Sequence, residues 1–160
     1  MSDLLALLQD FYVDKLTQLL RHEDHARRAS QYDINNTYQH IINREETQLS
    51  WIRAAIVDLG GRVGASPEAL SAPPGAAASQ DDELERDARE AQAFVDRWRD
   101  RVGAMSNARH RGMLRVILGE TMEQKRFYDQ ALEGQLDLLG RRTDQVGPRV
   151  GRVLPSRWVE

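Results

Sequence analysis

Apolar residues recur along this chain at spacings of three and four in four separated runs, the period of helices that bury one face. The first run is Leu4, Leu8, Phe11, Tyr12, Leu16, Leu19 and Ala26, with Lys15 and His22 close to the same face. It predicts a helix from about Asp3, capped by Ser2, to about Arg28. A turn over Ser30 to Asp33, with Asp33 as a candidate cap, leads into Tyr38, Ile41, Glu45, Leu49, Ile52, Ile56 and Leu59, a second stripe that Gly60 and Gly61 stop. A third helix is expected from Ser79 or Asp81 to about Val102, with Leu84, Ala88, Ala91, Val95, Trp98 and Val102 inward and Asp87 on the same side. After Gly103 to Asn107 a fourth is expected to run to Gly140. Met113, Ile117, Glu120, Gln124, Phe127, Ala131 and Leu138 lie on or near its stripe, and Arg115, Arg126, Asp129 and Glu133 on a solvated face.

The connections between these runs are short, long and short. Residues 60–80 are rich in Gly, Ala and Ser and contain Pro73 and Pro74, the composition of a connector, with Ser66-Pro67-Glu68 able to start one helical turn inside it. About 21 extended residues reach up to ~70 Å, more than the ~39 Å length of a 26-residue helix. The connector can therefore return along a whole bundle. The expected fold is all-α: a four-helix bundle of two antiparallel hairpins joined by a long crossover, spanning residues 1–140. A loose internal duplication fits two hairpins, because laying Glu45 on Glu120 also lays Ile41 on Val116, Ile42 on Ile117 and Tyr12 on Asp87.

Composition narrows the chemistry. Apolar residues make up 41% and charged residues 29%, the balance of a soluble helical domain. A net charge of -3 argues against general nucleic-acid affinity. With no cysteine, disulfides, thiolate metal sites and cysteine nucleophiles are excluded. The start of the chain lacks a basic n-region and carries Asp3 and Asp10, so it does not read as a signal peptide. No apolar run approaches the ~20 residues of a membrane span. The expectation is a cytoplasmic protein with neither nucleic-acid nor membrane partners. No phosphate-binding glycine loop or nucleophile elbow is present.

The informative anomaly is Glu45, a carboxylate centred on the apolar stripe of the second helix, with Gln48 just to one side. A carboxylate facing a helical interior is costly unless a proton, a cation or a metal neutralises it. Lys15, on the inward face of the first helix, is a candidate counter-charge, and Tyr12 and Gln48 are candidate hydrogen-bond donors. His22 and His25 in RHEDHARR are spaced to chelate a metal, with His40 near the same bundle end, but the surrounding charges read as a solvated helix terminus. Trp51 and Trp98 read as packing residues. Arg86, Arg89, Arg97, Arg99 and Arg101, interspersed with acids, read as a solvated face.

REETQLSWIRAAIVDLGG resembles the second helix of the ferritin-like and rubrerythrin-like family, and GETMEQKRFYDQAL resembles the fourth. In that family each hairpin supplies one acid and a Glu-x-x-His pair, which together hold two metal ions. The resemblance places the pairs on Glu45 with Gln48 and on Glu120 with Glu123, and the single acids near Tyr12 and Asp87. Both family histidine positions are thus replaced, and a tyrosine stands for one acid. Glu45, Asp87, Glu120 and Glu123 are the candidate metal ligands, with Tyr12, Lys15, Gln48 and Gln124 as surrounding or replacing residues. The leading expectation is a ferritin-like bundle with an incomplete dimetal site, a non-catalytic binding or structural module that needs no cofactor. The alternative is a non-heme dimetal carboxylate oxidoreductase or iron-binding protein holding an iron or manganese pair.

The tail, residues 141–160, carries five arginines against Asp144 and Glu160 and has no helical period. It is expected to be extended or to dock on a protein partner through Leu154, Trp158 and Val159. Bundles of this kind commonly self-associate through exposed faces, so a homo-oligomer is the other partner expectation.

Overall fold

A computed structural model describes residues 2–64, 79–135 and 138–139. Among them are four helices, α1 (Ser2–Arg28), α2 (Tyr32–Asp58), α3 (Gln80–Gly103) and α4 (Ala108–Leu132), and no strand. The crossover expectation for 65–78 and the docking expectation for 141–160 lie outside the described residues. The described residues divide into two compact units, residues 2–29 with 38–64, and residues 30–37 with 79–135 and 138–139.

In the first unit α1 and the body of α2 share an interior of alternating apolar and polar layers. Leu8, Phe11, Ile41, Ile52 and Ile56 are fully buried, and each such side chain removed from water contributes roughly 1.5–3 kcal/mol. Leu4 and Leu16, expected inward, are only half-buried, whereas Gln18 is buried. The face of α1 is thus turned toward its polar positions. Asp33 does not cap α2 but lies inside its first turn, where a carboxylate favours the positive end of the helix dipole.

Gly60 ends α2 in the left-handed region at φ 79°. The amide of Gly60 donates to Val57 O and that of Gly61 to Ile56 O, both at 2.9 Å, which satisfies carbonyls that the helix leaves open. A Cβ on Gly61 would come within 2.4 Å of Leu5 Cδ1, so the chain leaving α2 passes close over the start of α1. The Gln9 side chain donates to Arg62 O at 3.0 Å beside it.

In the second unit α3 opens with a reciprocal cap. Asp82 N donates to Ser79 Oγ and Ser79 N donates to Asp82 Oδ2, both at 3.2 Å. Asn107 caps α4 by accepting from His110 N at 3.0 Å. Leu84, Ala88, Ala91, Val95, Trp98 and Val102 are buried as expected, and so is Phe94. On α4 the buried face includes Leu114, Leu118, Thr121 and Tyr128, while Met113 is only half-buried. The stripe is therefore turned by about one residue from its expected centre.

The fourth helix stops at Leu132, not Gly140. Gly134 takes φ 89°, its amide donates to Ala131 O, and Gln135 N donates to Gln130 O, both at 3.0 Å. This is the termination already seen at Gly60. Leu138 consequently falls outside the helix it was expected to extend.

Candidate functional site

The Glu45 side chain has no exposure in the first unit, and neither has that of Lys15. Lys15 Nζ stands 3.3 Å from Glu45 Oε2, and it also donates to Gln18 Oε1 at 3.2 Å one turn along α1. His22 Nδ1 donates to Glu45 Oε1. A carboxylate is an acceptor only, so the ring nitrogen facing it carries the proton. Both oxygens of Glu45 are thus met by groups from α1, and the ion pair anticipated between Lys15 and Glu45 is present.

The expected solvated terminus around His22 and His25 is corrected: the two rings are buried, 4% and 2% exposed. They lie against Tyr38 at centroid separations of 6.1 and 6.0 Å, the His25 ring edge-on. Their burial follows the α1 face that runs through Phe11, Lys15, Gln18 and Leu19, continued at three- and four-residue steps. Tyr12 and Gln48 are buried as well.

Burial pushes the Glu45 carboxyl up, but the charges of His22 and Lys15 and their hydrogen bonds outweigh it and hold the group below the usual carboxylate range. A carboxyl with a lowered folded value contributes stability that is present above its unfolded value, about 4.3, and lost as pH falls through the folded one. The acid limb of a stability profile, from about pH 4.3 downward, should accordingly be steeper in the wild type than in a Lys15→Met/Glu45→Gln protein. Equal slopes in urea titrations at stepped pH would show that Glu45 does not contribute to acid sensitivity.

The second unit holds the other candidates. Asp87 on α3 is 1% exposed, and Glu120 and Gln124 on α4 are 6% and 4% exposed. Glu83, one turn before Asp87, is a buried acid absent from the candidates named above, although its i, i+4 spacing from Asp87 is a signal the sequence offers. Glu123 is half-buried and its Oε1 lies 3.2 Å from Arg126 Nε. Its carboxyl is pushed up by lost hydration, which the Arg126 charge only partly offsets. Arg126, expected on the solvated face, is accordingly half-buried. Thr121 returns its hydroxyl to Ile117 O at 2.8 Å, within its own helix.

The metal pair implied by the resemblance does not fit the donors around Glu45. A ligating carboxylate needs an oxygen turned to the ion, and here an ammonium and an imidazole N–H face both. Among the described residues no group of three or more His, Asp or Glu side chains is disposed to hold a metal ion. No described helix is long and apolar enough to cross a membrane. No protein-family model matches the chain, and neither a curated protein nor a solved structure matches it.

Proposed function

We propose that this chain is a ferritin-like four-helix bundle of two antiparallel hairpins joined by a crossover, serving as a binding or structural module and not as a dimetal oxidase. One observation carries the proposal: the interior carboxylate at the family's ligand position, Glu45, is neutralised from α1 by Lys15 and contacted by His22. The helix pairing is supported by contacts at both ends of the first unit, Leu5 and Gln9 beside Gly61 and Arg62, and His22 and His25 beside Tyr38. In this reading Asp87, Glu120 and Glu123 are interior or rim carboxylates that serve packing and hydrogen bonding. Self-association and a partner for residues 141–160 belong to the same reading.

Elemental analysis of the purified protein followed by anaerobic iron(II) and manganese(II) titration tests it. The expected outcome is uptake well below one ion per chain, unchanged by Glu45→Ala or Glu120→Ala. Near-stoichiometric metal that both substitutions abolish would hand the chain to the carboxylate oxidoreductase class.

A further inference from the structure

We infer that the outward face of α2 is the surface on which two copies of this chain meet, antiparallel about a twofold axis near Ser50 and Trp51. This dimer is the self-association of the reading above, given a surface and an orientation, and it rests on that part of the reading alone. The spacing of charges marks the face. On the other helices, surface charges pair within their own helix: Arg28 with Asp24, Arg89 with Glu85, Arg99 with Asp96 and Lys125 with Asp129. The outer charges of α2, Arg44, Glu46, Arg53 and Asp58, follow one another at 2, 7 and 5 positions, never at the three or four that let helix neighbours pair. Glu46, Arg53 and Asp58 are exposed and form no ion pair among the described residues. At 100° per residue, Asn43, Thr47, Ser50, Ala54 and Val57 run along the centre of this face. Arg44, Trp51 and Asp58 lie on one edge, Glu46 and Arg53 on the other.

A twofold axis perpendicular to α2 sets each edge against the same edge of the partner in reverse order. Arg44 then meets the partner's Asp58, Glu46 meets the partner's Arg53, and each pairing occurs twice. The midpoints of the two pairings lie about one and a half residues apart, ~2 Å along the helix, so one axis serves both. In a parallel pair only Arg53 and Asp58 would find each other, so the charges select the antiparallel orientation. The centre permits close approach. Ser50 and Ala54 are small and exposed, and Val57 is 59% exposed. The Thr47 and Ser50 hydroxyls already donate to Asn43 O and Thr47 O at 3.0 and 2.6 Å, so covering them strands no donor. Trp51, half-buried with the Arg44 guanidinium 5.7 Å from its ring centroid, falls beside the axis and faces the partner's Trp51. Tryptophan and arginine are the side chains that most often anchor such contacts.

Analytical ultracentrifugation of the full-length protein across micromolar concentrations tests the dimer. The wild type should sediment as a concentration-dependent dimer. Arg53→Glu and Glu46→Arg, which each set like charges against one another twice, should each raise the dimer Kd by roughly tenfold or more, the equivalent of about 1.4 kcal/mol. Helical circular dichroism and the thermal midpoint should stay unchanged, because both positions are exposed. Mixed in equal amounts, the two variants should recover a heterodimer near the wild-type affinity, and the double variant Glu46→Arg/Arg53→Glu should recover it alone. That recovery is specific to the antiparallel match, since a parallel pair would set the Arg53→Glu carboxylate against the partner's Asp58. A wild type that stays monomeric, a dimer whose Kd neither variant changes, or a mixture no tighter than its components would overturn the proposal. None of these results bears on metal uptake, which decides the scaffold reading, so the two failures are separable.

Discussion

Replacing Lys15 with methionine should cost on the order of 3–5 kcal/mol of folding stability, the penalty of leaving a buried acid without its cation. Methionine keeps much of the lysine volume, so the loss reports charge more than a cavity. The Lys15 and Glu45 side chains are both at 0% exposure, so water cannot take over the role of the lost partner. The measurement is urea unfolding at pH 7, with the midpoint shifted and the slope unchanged. Lys15→Met/Glu45→Met should recover most of the loss, because a buried ion pair exchanged for apolar side chains is often neutral. If the single variant is as stable as the wild type, Lys15 does not neutralise Glu45.

An effect of similar size is expected in the second unit from Trp98→Ala, about 3–5 kcal/mol. Trp98 is 3% exposed and packs 6.4 Å from Phe94 between ring centroids. Its outer face is covered by the Arg101 guanidinium, 4.3 Å from the ring centroid. Arg101→Ala alone should cost only about 0.5–1 kcal/mol. In the Trp98→Ala background that smaller cost should vanish, since the arginine has lost the ring it covers. A double-mutant cycle by chemical denaturation gives the coupling, and additive effects would show that Arg101 stabilises nothing through Trp98.

The four helices are legible in the sequence because each carries a three- and four-residue stripe, and because Gly60, Ser79 and Asn107 mark ends that depend on local chemistry. The fourth helix reads too long because the apolar residues Leu136, Leu138 and Leu139 continue past Gly134. Periodicity alone does not reveal that this glycine turns left-handed and closes the helix carbonyls. The Lys15 and Glu45 pair is legible from the improbability of two opposite charges on inward faces. His22 falls near the right face but reads as solvated, since a histidine among charges looks like a terminus until something covers it. Phe94 and Tyr128 escape the stripes because a helix face is broad, and packing selects which of two adjacent positions goes inside.

The pairing of Lys15 with Glu45 also bears on the order in which the chain acquires its charge balance during synthesis. Both partners, and His22 between them, lie on the first two helices. The contact of His22 with Glu45 closes over 23 positions, and that of Lys15 with Glu45 over two helical turns more. Loops of this size are inexpensive in closure entropy. Chains emerging at about 5–20 residues per second present all three groups before any part of α3 exists. Both basic contacts of the acid therefore come from the helix that precedes it in the chain.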